Sequence, residues 1–277
     1  MVEYSRRDAL RIGGGAGLLL LGGTATVSAD EDDGGGEAGL RVAHGSPDAP
    51  AVDVLVDGGV AVSGLEFRSV TDYLELDAGE YEIAVNVAGT ETTVFGPVAV
   101  ELEDEDYTAV ALGEVSSEDS EFTVSIFDDT NGANIGDDEA RVRAIHASPD
   151  APAVDVTVND GALTLFDGFA FGESSGYAVV PADTYVVEVR PDTENNDGPV
   201  VSEAEVTLEG GSTYTVFAFG YLTPDDEPAD EAFALEPVLD KSAPPRGDGR
   251  GRGRGDDEDD GDDDEEGRGR GRGRGDD

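Results

Sequence analysis

The chain contains two histidines, and both begin the same short motif. The motif, His-x-Ser-Pro-Asp-Ala-Pro-Ala-Val-Asp-Val, brings a histidine, a serine and two aspartates together in one segment. Histidine can transfer protons, serine can act as a nucleophile, and aspartate can bind a cation. The candidate binding-loop residues are His44, Ser46, Asp48 and Asp53 in the first copy and His146, Ser148, Asp150 and Asp155 in the second.

Catalysis and tight metal binding need more groups than this motif supplies. A zinc site usually takes three or four ligands with His or Cys prominent, and the chain has no cysteine. Calcium prefers carboxylate and carbonyl oxygens, so it is the ion that Asp48 and Asp53 would suit. A hydrolase needs a nucleophile, a base and an orienting group that converge from separate segments. We therefore predict no catalytic residue and no required cofactor, and the sequence leaves a calcium ion open.

The same motif has a simpler interpretation as a loop that joins two strands. Pro47 and Pro50 restrict the backbone and favour extended conformations in the residues before them. Valines at alternate positions follow, as in a strand with one buried face. Ser46 and Asp48 are residue types that bond to nearby backbone groups in loops. The residues favour this structural role over a binding or catalytic one.

The motif also marks an internal repeat. Residues 41–54 recur as 143–156, and residues 107–113 recur as 214–220, so the offset grows along the chain. Small loop insertions in the second copy explain that growth. Two homologous domains are predicted at 40–127 and 141–240, joined by a linker at 128–140.

Apolar residues alternate with polar ones within each copy. Tyr81, Ile83 and Val85 are separated by polar or small residues, which is typical of a half-buried strand. Residues 214–221 are apolar on both faces, which predicts a central strand. Turn sequences such as Asp-Gly-Gly separate the runs, and no segment has helical spacing. We predict an all-β fold of two tandem antiparallel β-sandwiches, immunoglobulin-like or transthyretin-like, with a small closed barrel as the alternative.

Residues 1–29 are predicted to be a twin-arginine export signal. Arg6 and Arg7 lie in Ser-Arg-Arg-Asp-Ala-Leu-Arg, which resembles the export motif, although Ala9 stands where phenylalanine is commonest. The apolar stretch that follows is short and rich in glycine, so it is a poor membrane anchor. Cleavage before Asp30 would leave a mature protein without a transmembrane segment. The alternative is an uncleaved N-terminal anchor.

The chain is strongly acidic, with 64 acidic residues, 17 basic residues and a formal charge of −47. Self-repulsion strains a compact fold at that charge, whereas in molar salt the Debye length falls to about 3 Å. We therefore expect an extracellular or cell-surface protein of a haloarchaeon. Residues 241–277 consist largely of Arg-Gly and acidic blocks and are predicted to be disordered. Acids outnumber arginines there, which argues against nucleic acid as a partner.

Both copies of the motif resemble the start of DUF4397, a bacterial and archaeal extracytoplasmic domain family. The similarity extends over most of residues 40–220 and includes the whole repeated motif. The resemblance implies a secreted or cell-surface β-domain, and it implies no reaction.

These features favour a non-enzymatic exported module with a binding or structural role in the cell envelope. An envelope protein, a glycan or a second protein of the same kind is the expected class of partner, because β-domains offer edge strands and rigid loops for recognition. The alternative function is a metal-dependent or carbohydrate-active domain that uses the repeated loop. The sequence leaves the specific ligand and the oligomeric state open.

Overall fold

The structure is a computed structural model that describes residues 9–12, 36–118, 120–130 and 134–242. Arg6 and Arg7 of the predicted export motif lie outside the described residues. So does the predicted tail from residue 243 onward.

Strands make up nearly all the regular structure of the described residues. The one helical element among them is a short 3-10 turn at Pro224–Asp226. No helix in the described part of the chain has the length and apolar character that crossing a membrane requires. The all-β prediction is confirmed.

The strands form two repeats of eight, preceded by a short strand. Strand β1 covers Ala9–Ile12. Repeat 1, residues 37–129, consists of β2 (Glu37–His44), β3 (Val52–Val56), β4 (Gly59–Leu65), β5 (Leu74–Asp77), β6 (Gly79–Val87), β7 (Thr93–Leu102), β8 (Asp106–Leu112) and β9 (Thr123–Asp129). Repeat 2, residues 139–241, consists of β10 (Glu139–Ala147), β11 (Val154–Val158), β12 (Leu163–Phe169), β13 (Ala178–Pro181), β14 (Thr184–Pro191), β15 (Ser202–Thr207), β16 (Thr213–Phe219) and β17 (Ala234–Lys241).

Each repeat is a sandwich of two four-stranded sheets. In repeat 1 the first sheet has the order β5-β2-β8-β9 and the second sheet the order β4-β3-β6-β7. In repeat 2 the first sheet has the order β13-β10-β16-β17 and the second sheet the order β12-β11-β14-β15. The backbone of β1 pairs with β9 and adds a fifth strand to the first sheet of repeat 1. The prediction of two tandem sandwiches is confirmed.

One strand pair in each first sheet is parallel, which a purely antiparallel sandwich does not have. Strand β2 runs parallel to β8, and β10 runs parallel to β16, whereas the other described pairs are antiparallel. Parallel neighbours need a crossover connection, and here the chain builds the second sheet between them. The immunoglobulin fold keeps its first two strands in one sheet. In this protein the first two strands of each repeat, β2 and β3 or β10 and β11, lie in different sheets. This arrangement excludes the immunoglobulin-like topology and leaves the transthyretin-like topology of the two that were predicted.

The turn residues and the alternating strands explain the local structure. Asp57 and Gly58, with φ of 50° and 76°, form the left-handed pair that a two-residue hairpin between β3 and β4 needs. In β6, Ile83 and Val85 are buried in the core of repeat 1, as the alternation predicts. The core of repeat 2 is built in the same way, and each sandwich therefore has its own apolar interior.

The first sheets of the two repeats pack against each other. In β16, Tyr214 and Val216 belong to the core of repeat 2, whereas Phe217 and Phe219 belong to a cluster that both repeats share. This double burial explains why residues 214–221 are apolar on both faces, and it confirms the predicted central strand. The shared cluster is Ala43, Val110, Leu112, Phe127, Ile145, Ala147, Phe217 and Phe219.

Candidate functional site

Both motif histidines are completely buried near the end of the first strand of their repeat. The Nδ1 atom of His44 accepts a hydrogen bond from the backbone N–H of Ser46 at 3.4 Å, and its Nε2 atom lies 3.1 Å from the carbonyl oxygen of Pro50. Because Nδ1 is an acceptor, the ring proton sits on Nε2 and is donated to Pro50. The second histidine repeats the two contacts at 3.3 and 3.0 Å.

Burial keeps both imidazole rings neutral. Desolvation lowers the pKa of His44 and of His146, and the hydrogen bonds to the proline carbonyls oppose that shift only in part. The ring of Phe67 forms a T-shaped pair with the first imidazole, and the rings of Phe169 and Phe171 form T-shaped pairs with the second. With both nitrogens bonded to the chain itself, neither ring is placed to bind a metal or a substrate.

The first aspartate of each motif hydrogen-bonds to a turn in its own repeat, the turn after β8 in repeat 1 and the turn after β16 in repeat 2. The carboxylate of Asp48 accepts hydrogen bonds from the backbone N–H groups of Val115 and Ser116 at 2.8 and 2.9 Å. The Ser116 hydroxyl adds a third at 2.6 Å. Asp150 accepts the three equivalent bonds from residues 222–223. In both repeats this aspartate clamps the loop.

The second aspartate bonds to the second sheet instead. Asp53 accepts hydrogen bonds from the backbone N–H groups of Gly64 and Gly89, both at 2.8 Å. Asp155 is completely buried and accepts the two equivalent bonds at 3.0 and 3.1 Å. The histidine and the two aspartates of each motif are thus directed to three different stretches of backbone.

The hydroxyl groups of the two motif serines have different surroundings, because among the described residues the Ser46 hydroxyl has no hydrogen-bond partner. Ser46 and Ser148 are completely buried, and the Ser148 hydroxyl donates to Asp150 at 3.2 Å. The chain also contains one Gly-x-Ser-x-Gly segment, residues 172–176, a pattern that forms a strand-to-helix elbow in hydrolases. Here it lies in the loop between two strands, and its central Ser174 hydroxyl accepts a hydrogen bond from the backbone N–H of Gly176 at 3.4 Å.

Repeat 2 brings three carboxylates together beside its motif. Oxygens of Asp155, Asp167 and Asp192 lie within 4.8 Å of one another, with Asp155 buried and the other two exposed. The strand registers align Asp167 with Ser63 and Asp192 with Ala88, so repeat 1 does not have this acidic trio. Carboxylate oxygens are the donors that calcium prefers, and Asp155 is the member that the sequence predicted.

Buried arginines join the two repeats. Arg41 and Arg143 stand at equivalent positions in β2 and β10, and each is 1% exposed. Arg41 donates to Thr108 of its own repeat at 2.8 Å and to Thr215 of the other at 2.9 Å. Arg143 mirrors this arrangement, with distances of 2.9 Å to Thr215 and 3.1 Å to Thr108. The contact therefore has an approximate two-fold symmetry.

Two aspartates neutralise these arginines across the interface. Nη1 of Arg41 lies 2.7 Å from Asp240 of repeat 2, and Arg143 pairs with Asp129 of repeat 1. Burial raises the pKa of Asp240, and the two guanidinium groups oppose that shift. Two positive and two negative side chains thus form a buried network without net charge.

Tyrosines complete the network on both sides. The Tyr73 hydroxyl donates to Asp129 at 2.5 Å, and the Tyr177 hydroxyl donates to Asp240 at 3.4 Å. The guanidinium of Arg41 lies 5.0 Å from the ring centre of Tyr73, and that of Arg143 lies 4.8 Å from the ring centre of Tyr177. Both distances are within the range of a cation–π contact.

The sequence interpretation missed this network. Its signal was an arginine repeated at the same place between apolar neighbours in two strands, Arg41 and Arg143. Arginine is almost never fully buried unless it is paired, so such a repeat indicates a buried partner. The partners come from the other repeat, and no local pattern points to them.

Comparisons with solved structures give low similarity. A family 26 carbohydrate-binding module from Eubacterium rectale Amy13K, in complex with maltoheptaose, is 9% identical, with 76% of this chain and 98% of that chain covered and a TM-score of 0.21. A candidate cell adhesion protein from Bacteroides eggerthii is 10% identical, with 74% of this chain and 95% of that chain covered and a TM-score of 0.22. TM-scores of this size carry no argument about function.

Comparison with curated proteins gives no match. The family model described as "Domain of unknown function (DUF4397)" matches twice, at residues 38–157 and 140–252. The two matches take in both repeats and most of the chain. The chain therefore belongs to the DUF4397 family and carries two tandem copies of its domain.

Proposed function

We propose that the protein is an exported, non-enzymatic module that binds or packs against a component of the cell envelope. The supporting observation is the use of the repeated motif, whose histidines and aspartates bond to their own backbone and hold the connecting loops in place. Two sandwiches joined through a buried network form a rigid support for exposed loops, which is the usual arrangement in binding modules. An envelope protein or a glycan is the proposed partner.

Sedimentation with washed envelope fragments from the source organism tests this function. Protein purified from the culture medium or the cell surface should sediment with the fragments in molar salt, and the bound amount should saturate. Heat-unfolded protein serves as the control and should stay in solution. Native protein that stays in solution as well would overturn the proposal.

Export by the twin-arginine route is a separate part of the proposal. Replacing Arg6→Lys together with Arg7→Lys should stop secretion and leave the uncleaved chain inside the cell. N-terminal sequencing of the secreted wild type should begin at Asp30. If the double variant is still secreted, the protein leaves by another route.

The acidic trio favours the second candidate function, a metal-dependent or carbohydrate-active domain. Thermal unfolding in molar salt with and without a chelator separates the two candidates. The proposed function predicts an unchanged midpoint, because the motif carboxylates are bonded to N–H groups of the chain. A fall in the midpoint would favour bound metal, because a ligand stabilises the state that binds it. Asp167→Asn combined with Asp192→Asn is the matched control, in which such a fall should disappear.

A further inference from the structure

Strand β1 covers the outer edge of β9. Its residues, Ala9–Ile12, pair antiparallel with β9, and Leu10 lies opposite Ile126. All of β1 belongs to residues 1–29, the predicted export signal. Removal of that signal before Asp30, as proposed above, takes β1 away from the mature protein. The backbone groups of β9 that pair with β1 then become available to another strand.

The other edge strands of the described sheets carry features that oppose further pairing. Strands β5 and β13 have four residues each, and the pairings of β4 and β12 contain register shifts. Strands β7 and β17 contain Pro97 and Pro237, and β15 contains Glu203 and Glu205. Short strands, bulges, prolines and charges all keep sheet edges from pairing. Strand β9 pairs with β8 without a register shift, and its residues 123–127 are neither proline nor charged.

Repeat 2 blocks the same edge at a single position. Ile126 is equivalent to Pro237, since they lie opposite Ala109 in β8 and Val216 in β16, which are equivalent residues. Proline has no N–H group, so β17 cannot donate the hydrogen bond that an added strand needs at this position. Repeat 1 keeps that donor.

The backbone of Ile126 faces outward, toward the strand that lies on the edge. The N–H group of Gly45 donates to the carbonyl oxygen of Ala111 at 2.7 Å, so the backbone groups of Ala111 face β2. Those of Ala109, two residues earlier, face the same way. Ile126 lies opposite Ala109, so its N–H and C=O groups are directed away from β8. Leu10, opposite Ile126 on the other side, directs its backbone groups toward β9.

We propose that the β9 edge of the mature protein binds an extended segment of an envelope protein, which adds a strand where β1 lies in the full chain. Main-chain hydrogen bonds hold such a strand, and its alternate side chains give specificity. Val124 and Ile126 are buried in the core of repeat 1, so apolar residues suit the positions opposite them. In β1 these positions are occupied by Ile12 and Leu10, with Arg11 between them.

Charge favours a segment of another protein over a second copy of this chain. Each copy carries a net charge of −47, and like charges brought together at an interface are destabilising. A neutral or basic segment avoids that repulsion, and the sequence Ala-Leu-Arg-Ile of β1 has no acidic residue. The inference rests on the function proposed above and adds to it the binding surface and the chemical class of the partner.

Peptide binding to the full chain tests the edge without relying on removal of the signal. Leu10→Pro deletes the N–H group of β1 that faces Ile126, and it should release β1 from β9. A fluorescently labelled peptide of residues 5–16 is titrated in molar salt and followed by anisotropy. The variant should bind one peptide at least about tenfold more tightly than the wild type, in which β1 is tethered beside the edge. Equal binding by both chains would overturn the proposal.

Two N-methylated peptides are the matched controls, because they leave the protein and every side chain of the probe unchanged. The N–H group of Leu10 faces β9, whereas that of Arg11, the next residue, faces away. N-methylation at Leu10 should therefore abolish binding to the Leu10→Pro chain, and N-methylation at Arg11 should leave it nearly unchanged. Equal effects at the two positions would mean that charge or apolar character alone attracts the peptide, and the strand-pairing proposal would fail.

The secreted protein separates this inference from the function on which it rests. Excess peptide should displace that protein from washed envelope fragments, and the peptide methylated at Leu10 should not. Protein that sediments with the fragments but is not displaced would overturn the β9 edge as the binding surface and leave envelope binding intact. Peptide binding by the Leu10→Pro chain without any sedimentation of the secreted protein would support the edge and overturn the proposed function.

Analytical ultracentrifugation of the secreted protein tests the choice of partner. The proposal predicts a monomer in molar salt, with and without the peptide. A dimer that the peptide dissociates would place a second copy on β9 and overturn the assignment to a segment of another protein.

Discussion

Each motif histidine is a single residue on which the stability of its loop depends. Protonation at Nδ1 would place a second N–H group against the backbone N–H of Ser46 or Ser148. Burial lowers the pKa of both rings, so below the ordinary histidine pKa of about 6.5 the unfolded chain takes up protons more readily than the folded chain. Stability is therefore complete above that pH and decreases as the pH falls through it.

The melting temperature should record this response. We expect the midpoint of the wild type to fall as the pH is lowered from about 7.5 to 5.5. His44→Asn with His146→Asn keeps an acceptor for the serine N–H, and this double variant should be less stable at neutral pH but flatter across the same range. Because the chain has no other histidine, a wild-type curve no steeper than that of the variant would contradict the assignment.

The hydrogen bonds of Asp48 and Asp150 to the backbone predict that removing either carboxylate destabilises the protein by the same amount. Asp48→Ala and Asp150→Ala each leave two backbone N–H groups without their carboxylate, and each should lower the free energy of unfolding by about 1–3 kcal/mol. Denaturant titration followed by circular dichroism measures the loss. Asp72→Ala, at an exposed position, is the control and should change stability little. A loss no larger than that of the control would show that the clamp is dispensable.

At the scale of elements, the turn that follows the central strand depends on glycine. Gly113 and Gly220 have φ of 79° and 83°, and a Cβ atom at either would lie 2.4 Å from a backbone carbonyl oxygen. Alanine is strained in that conformation by about 1–3 kcal/mol, and the contact adds to the cost. Gly113→Ala and Gly220→Ala should therefore lower the melting temperature, whereas Gly79→Ala, with open space around it, should not. Similar melting temperatures for all three variants would contradict this account.

The elements themselves were largely predictable, because their signals are local. Alternation placed Ile83 and Val85 in the core, and Asp57 with Gly58 marked a hairpin. The partners of side chains were not predictable, because they are distant in sequence: Arg41 bonds to Thr215, 174 residues away. The motif residues could be identified from their side-chain chemistry alone. Their bonds to the residues after β8 and β16 could not be predicted, because those partners are also distant in sequence.

At the scale of the molecule, the two copies of the family domain form one compact unit within residues 1–244. Equivalent positions have diverged where the copies meet. Glu114 and Tyr221 occupy equivalent places after their central strands, and the Tyr221 hydroxyl donates to Glu114 at 2.7 Å in a buried contact. This hydrogen bond requires a glutamate in one repeat and a tyrosine at the equivalent position of the other. Each repeat is therefore adapted to the other. The single unit therefore predicts one cooperative unfolding transition.

Substitutions in the buried network test directly whether the two repeats unfold as one unit. Asp129→Asn and Arg143→Met each leave a buried charge without its partner, and each should cost about 3–5 kcal/mol of the free energy of unfolding. In the double variant both charges are gone, so its cost should be smaller than the sum of the two by about 0.5–3 kcal/mol. Denaturant titrations followed by tyrosine fluorescence give all four values of the cycle.

The salt dependence of stability should distinguish the buried charges of this interface from the exposed charges on the rest of the protein. Dissolved ions screen exposed charges, whereas Arg143 and Asp129 are buried between the repeats and are screened much less. The overall stability of a chain with a net charge of −47 should rise with salt, because self-repulsion is reduced. The coupling between Asp129 and Arg143 should stay nearly constant over the same range. A coupling that disappears in molar salt, or a wild type that unfolds in two steps, would mean that the repeats associate only loosely.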